Sequence, residues 1–338
     1  MKWIQLSAAI LSSIVLAASS ASAQETHNWT LGDVDSPAHW GPTAAMKFAE
    51  SVDKATAGRV KITVYPVESL FKGKDSLDAV SKNLTQMYRV GGLHTAGEER
   101  VLELLDLPFF VPADYDFRNK LWDALIPMYR DLMKKRFGIY VADMIQAEPR
   151  MVYTKDSFKD LADLQGRKIR TAGPSETEFT RAIGMVPATI MPSEIYTALQ
   201  QGVIDGNWVA DAPHFFNKGY EVTKYIYDVG SGGFTFYVMV NQQALDALTE
   251  ADRKAVMAEL SVYSKDLRAG SRDGYVNGRT WLIDKGMSVV PVSAEDRAAM
   301  QKAADVILDK WQKQLDPEQR KIYDVAKKMI DEYKAAKK

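Results

Sequence analysis

The chain has 338 residues, 46% of them hydrophobic and 26% charged, enough to bury a substantial core in one large domain or two lobes. Its 43 Lys+Arg against 44 Asp+Glu leave a formal net charge of -1, so no overall basic field exists to attract nucleic acid or an anionic membrane surface. Without cysteine there are no disulfides, thiolate metal sites, iron–sulfur clusters or cysteine nucleophiles, and only four histidines remain for metal or acid–base work.

Lys2 precedes an apolar run from Leu6 to Ala18, and Ala21-Ser22-Ala23 presents the small-residue pattern that a signal peptidase reads. This order predicts an exported, periplasmic chain whose leader, residues 1–23, is cleaved after Ala23. The run falls short of the roughly 20 apolar residues that span a bilayer, so no direct membrane anchor is expected. A strand is predicted from His27 to Leu31, then a helix opened by Ser36-Pro37, with Ala45, Phe48, Ala49 and Val52 at helical spacing and Gly58 closing it. Val60 to Tyr65 alternates as a strand does. A short helix over Asp75 to Lys82 and a third strand over Leu84 to Val90 follow. Leu93 to Arg100 reads as a polar loop and Tyr115 to Arg136 as a helix.

A second unit of the same kind continues without a linker. Ile139 to Tyr153 reads as one or two strands broken near Glu148-Pro149, and Lys168 to Thr171 as another strand. Helix Pro174 to Ile183, strand Ala188 to Met191 and a helix capped by Ser193 lead to Gly202–Gly206, which opens a further strand. Phe234 to Val240 is an apolar strand, and a helical pattern runs uninterrupted from Glu250 to Lys285 before helices beginning at Ala294 and Pro317. Alternating strands and helices predict parallel α/β construction.

Catalytic signatures are sparse. His27, His39, His94 and His214 fall at no metal-ligand spacing, so no metal site is expected. Glycine-rich nucleotide loops and a G-x-S-x-G elbow are also missing, so no cofactor is expected.

Asp160-Leu161-Ala162-Asp163-Leu164-Gln165-Gly166-Arg167-Lys168-Ile169-Arg170 resembles a segment of the DctP-type solute-binding proteins of TRAP transporters. Gly184-Met185-Val186-Pro187 and the run from Pro192 to Gly206 are similar to that family's next blocks. Phe48-Ala49-Glu50, Gly58-Arg59-Val60 and Leu107-Pro108-Phe109 match earlier landmarks in order, so the resemblance spans the mature chain. It implies a two-lobed α/β periplasmic binding protein, a Venus-flytrap with hinge strands and a long helix spanning both lobes. Residues 24–147 with about 235–275 would form lobe I, and 148–234 with about 276–338 lobe II.

The implied function is a receptor that captures an organic acid and passes it to membrane-embedded TRAP permease subunits, acting as a monomer. An exported enzyme using the same cleft is the alternative. In the family an arginine of the segment ending at Arg170 clamps the ligand carboxylate, and a second basic contact twenty residues earlier falls at Arg150. A guanidinium suits this task because its planar fork of donors matches a carboxylate and stays charged. Where many members place an acid and an amide after Asp-Gly, this chain has Asn207-Trp208-Val209, so the amide contact passes to Asn207. Trp208 either walls the pocket with a flat face or packs in the core. Arg89, His94 and Trp40 lie near further positions that line the cleft in the family.

Overall fold

The computed structural model describes residues 26–337, so the expected leader and its cleavage point lie outside the described residues. The first half contains β1 (His27–Asp33), α1 (Trp40–Ala55), β2 (Val60–Tyr65), α2 (Ser76–Ser81), β3 (Met87–Gly91), the single turn α3 (Gly92–Thr95), α4 (Tyr115–Phe137) and β4 (Ile139–Ala147). Next come β5 (Arg150–Thr154), β6 (Lys168–Thr171), α5 (Pro174–Ala182), β7 (Val186–Thr189), α6 (Ile195–Gln200), β8 (Gly206–Val209), α7 (Asp211–Phe216) and β9 (Tyr225–Ser231). The chain ends with β10 (Phe234–Asn241), α8 (Gln242–Asp246), α9 (Glu250–Asp284), β11 (Ser288–Val290), α10 (Ala294–Gln312) and α11 (Pro317–Ala336).

Two sheets result, ordered β2-β1-β3-β10-β4 and β11-β9-β5-β8-β6-β7, one in each lobe of an α/β fold. The expected parallel construction holds for most of each sheet. The exceptions are β10, antiparallel to β3 and β4, and β5, antiparallel to β8 and β9. Each exception is the strand that arrives from the other lobe. These crossings, at Glu148-Pro149 and at Gly232-Gly233, join the lobes side by side. Gly232 has φ +63°, and a Cβ there would lie 2.9 Å from the Leu107 carbonyl, so this crossing requires glycine.

Helix α9, about 52 Å long by its helical rise, runs along both lobes. Its buried face is Val256, Leu260, Tyr263 and Leu267, then Ser271, Gly274 and Gly278, then Leu282, a stripe at three- and four-residue spacing. The large residues pack on the first lobe, where Tyr263 stacks on Phe48 at 4.9 Å. The small ones let α9 approach the hinge at Glu148 and the start of α7. Thr249 caps the helix by accepting from the Asp252 N–H.

Several local expectations shift. His39, not Ser36, caps α1, its Nδ1 accepting from Gly41 at 3.2 Å; Ser36 instead donates to the Phe216 carbonyl across the cleft. The loop expected from Leu93 to Arg100 begins instead inside the buried turn α3 and is a loop only after Thr95. Ser193 does not cap α6, because its hydroxyl is taken by Glu68. Residues 276–338 are expected together in lobe II, and β11 beside β9 and α10 through Met300, Ala304 and Ile307 do join it, but α11 does not. Ile322, Tyr323, Ala326 and Ile330 of α11 lie in the first lobe's core, and Tyr333 stacks on Phe117 of α4 at 4.2 Å.

Candidate functional site

Strand β6 carries Arg170 between the buried Ile169 and Thr171, with Asn207 of β8 as its register partner. Its Nε donates to the Ile190 carbonyl at 2.7 Å and its Nη1 to the Trp208 carbonyl at 3.1 Å, while the buried Nη2 has no partner. Burial and then Arg150 lower its pKa to about 9, so it stays charged at neutral pH.

Arg150, at the start of β5, is ion-paired with Glu176 of α5 at 2.5 Å and donates to the Trp208 carbonyl at 2.8 Å. Its guanidinium lies 4.9 Å from the centre of the Phe234 ring. The two arginines therefore differ. Arg150 already has a counter-charge, whereas Arg170 keeps one donor free.

His94 is buried on α3, edge-on to Phe234 at 5.8 Å, and neither ring nitrogen has a partner. Burial, then Arg170 and Arg150, push its pKa down to about 3, so it is a neutral imidazole with one donor and one acceptor. Asn207 is buried too, with both amide atoms unpaired. A buried polar group without a partner costs roughly 1–3 kcal/mol. Several of them in one cleft are what a polar ligand is equipped to satisfy.

The arginines and His94 border a cavity between the lobes. The first lobe contributes Val34, Asp35, His94, Phe234 and Phe236; the second contributes Arg150, Arg170 and an apolar rim of Pro192, Val209, Ala210 and Pro213, with Asn217. An adjoining recess of about 280 Å³ shares Pro192, Val209, Pro213 and Asn217, and Asn207 lines it. Phe234 and Phe236, two apart on β10, face the cavity together, a pairing the strand's alternation encodes and the sequence reading did not use. Asn217 and Pro213 come from α7 and its end, a helix the sequence reading did not assign.

Three candidates lie elsewhere. The Trp208 side chain is fully buried on the other face of β8, 5.9 Å from the Phe179 ring and donating to Thr180 at 2.9 Å. It packs in the core, and only its carbonyl serves the site. Arg89 is bound by Asp33 through Nε and Nη2 at 2.7 Å and by Asp35 at 2.6 Å, with its guanidinium 4.1 Å from the Phe236 ring centre. Its charge is consumed behind the cavity wall. Trp40 backs the same guanidinium at 5.0 Å and packs against Gly270 of α9. Burial pushes Asp33 up to about 6 against the pull of Arg89.

A family model described as DctP, bacterial extracellular solute-binding protein family 7, matches residues 31–314. The C4-dicarboxylate-binding periplasmic protein DctP of Rhodobacter capsulatus is 26% identical over 292 residues, covering 81% of this chain and 83% of its own. The fold superposes on DctP6 of Bordetella pertussis, an extracytoplasmic solute receptor binding pyroglutamic acid, with TM-score 0.82, 25% identity, 89% of this chain and 99% of that one. A TRAP periplasmic solute-binding protein of Roseobacter denitrificans with bound L-galactonate gives TM-score 0.78 and 24% identity, covering 90% and 99% of the two chains.

Proposed function

Because the chain belongs to the DctP family of bacterial extracellular solute-binding proteins, the receptors of TRAP transporters, we propose that it captures a compact organic acid in the interlobe cavity and delivers it to the membrane permease. The ligand carboxylate sits on the free Nη2 of Arg170, with Arg150 alongside, and His94 completes the polar contacts. The ligand body lies against Phe234 and Phe236. Binding draws the lobes together by bending at the two strand crossings, the hinge closure open to two-lobed binding proteins. Release to the permease reverses it, and the ligand leaves chemically unchanged. The mature monomer begins at Gln24 in the periplasm. Pyroglutamic acid, held by the Bordetella receptor, is a carboxylate on one small ring, an acid of this compact class.

The observation that carries this reading is the buried guanidinium arm of Arg170 left unpaired at the cavity wall. A thermal-shift screen of refolded, ligand-stripped protein against organic acids tests it, since ligand at about 100 times its dissociation constant adds about 2.7 kcal/mol of stability. No stabilisation by any acid overturns the reading, and recovery of a chemically altered ligand replaces it with an enzyme.

A further inference from the structure

We propose that Asp35 selects among acids by requiring a hydrogen-bond donor on the ligand, so that the preferred ligands are compact acids bearing an N–H beside the carboxylate and dicarboxylates are rejected. This rests on the reading of the cavity as a carboxylate site, and deepens it.

Asp35 borders the same cavity as Arg170, from the opposite lobe. Its Oδ2 accepts from Arg89 at 2.6 Å and lies 3.3 Å from His39 Nδ1, while its Oδ1 accepts no hydrogen bond among the described residues. Burial alone would raise its pKa, but the charged Arg89 bonded to it outweighs burial and leaves it lowered. An ionised carboxylate only accepts.

The geometry behind Asp35 is locked. Arg89 is forked onto Asp33 and sandwiched between Trp40 and Phe236, and a Cβ at Gly41 would collide with its guanidinium. Asp35 therefore cannot turn away to suit a ligand acceptor. His94, which lines the same cavity, is neutral and adds no charge of its own.

The cleft thus has a cationic pole in the second lobe and an anionic acceptor in the first. A ligand with a carboxylate at one end and an N–H nearby bonds to both and so ties one lobe to the other. A second carboxylate would face Asp35 with like charge. An ether or methylene in place of N–H leaves the Asp35 oxygen unpaired.

Matched five-membered-ring acids separate these cases on the unmodified mature protein: proline, 5-oxoproline, tetrahydrofuran-2-carboxylate and cyclopentanecarboxylate, with succinate as the dicarboxylate. Calorimetry should show the better N–H acid binding at least about tenfold tighter than the ether, the carbocycle and succinate. A smaller margin over any of the three overturns the selection rule while leaving the acid receptor intact. Binding of none of the five overturns this inference, and the wider acid screen then decides the receptor reading on its own. In Asp35→Asn the margin over the ether acid should shrink to below about threefold. An undiminished margin would assign N–H recognition to another group.

Discussion

Glu68 of the first lobe accepts two hydrogen bonds from Ser193 of the second, from the main-chain N–H at 3.1 Å and from the hydroxyl at 2.6 Å. The other Glu68 oxygen takes the Gly73 N–H at 2.7 Å, which holds the carboxylate on its own side of the cleft. Lys72 adds a bond to the same hydroxyl at 2.8 Å and an ion pair to Glu194 at 3.2 Å. These contacts bridge the lobes at the rim, so they favour the closed arrangement over the open one.

Ser193→Ala removes a hydroxyl bonded to a charged acceptor, worth roughly 1.5–3 kcal/mol. Ligand binding should weaken about 10- to 150-fold, chiefly through faster release. Stopped-flow dissociation reads this directly. A release rate within about twofold of the parent means the rim contact does not hold the closed state.

Arg170→Ala should weaken carboxylate binding more, because truncating one partner of a buried, hydrogen-bonded charge pair costs roughly 2–5 kcal/mol, from about thirtyfold to several thousandfold. Arg170→Lys should rescue little, since an ammonium cannot bond the Ile190 and Trp208 carbonyls and still offer a fork to the ligand. Calorimetric affinity within about threefold of the parent for either variant would remove Arg170 from the clamp. Arg150→Ala should weaken binding less specifically, because it also leaves Glu176 buried without its partner.

The residues that were legible in the sequence are those whose setting is local. Arg170 follows an apolar residue on a short strand whose motif is continuous in the chain, and the α9 stripe declares a long helix by spacing alone. Trp208 was not legible in this way. Which face of β8 meets the cleft depends on its pairing with β5 and β6, and a one-residue parity change exchanges Asn207 for Trp208. That Arg89 is tied up behind the cleft is not legible, because its partners stand more than fifty positions away, although Asp33 and Asp35, two apart where β1 ends, put two carboxylates side by side. The amphipathic pattern of α11 fixes its buried face without saying which lobe receives it.

Glu148 makes stability depend on pH. Both of its carboxylate oxygens are buried without partners at the strand crossing, against Gly274 of α9, where a Cβ would collide with Oε1. Burial first, with Asp211 and Asp35 adding, pushes its pKa up to about 8 from the ordinary 4.5. A raised carboxyl binds its proton more tightly folded than unfolded, so its contribution is complete below pH 4.5 and is lost as pH rises through about 8. The histidines act in the opposite sense, but only below their unfolded value of 6.5: His39, His94 and His214 are all lowered, so they destabilise the fold as acid protonates the unfolded chain. Between pH 8 and 6.5, acidification should therefore stabilise the fold, by about 1–2 kcal/mol from Glu148. Glu148→Gln, isosteric and uncharged, should flatten that slope and unfold at a higher temperature than the parent at pH 8. Calorimetric melts at the two pH values decide it, and an unchanged slope in the variant would place the titrating group elsewhere.

The shape of the cavity wall bears on the ligand's body. Phe234 and Phe236 on one side and Pro192, Val209, Ala210 and Pro213 on the other present carbon. With the carboxylate on Arg170, the polar side chains left at the wall are Asp35, His94, Asn217 and the Glu176-paired Arg150, and the Trp208 ring is turned into the core. A sugar acid carries a hydroxyl on nearly every carbon, and each one buried without a partner costs about 1–3 kcal/mol. A compact ring acid buries its carbon against the aromatic faces at a gain of roughly 25 cal/mol per Å² and leaves few polar atoms to satisfy. It should therefore bind at least about tenfold tighter than galactonate or glucuronate in a calorimetric panel. Phe234→Ala should erase much of that preference, since Phe234 also supports His94 and lies over the Arg150 guanidinium. If a uronate or aldonate binds tighter than every compact acid, the ligand's hydroxyls are being paired in the adjoining recess at Asn207, and the apolar wall does not set the preference.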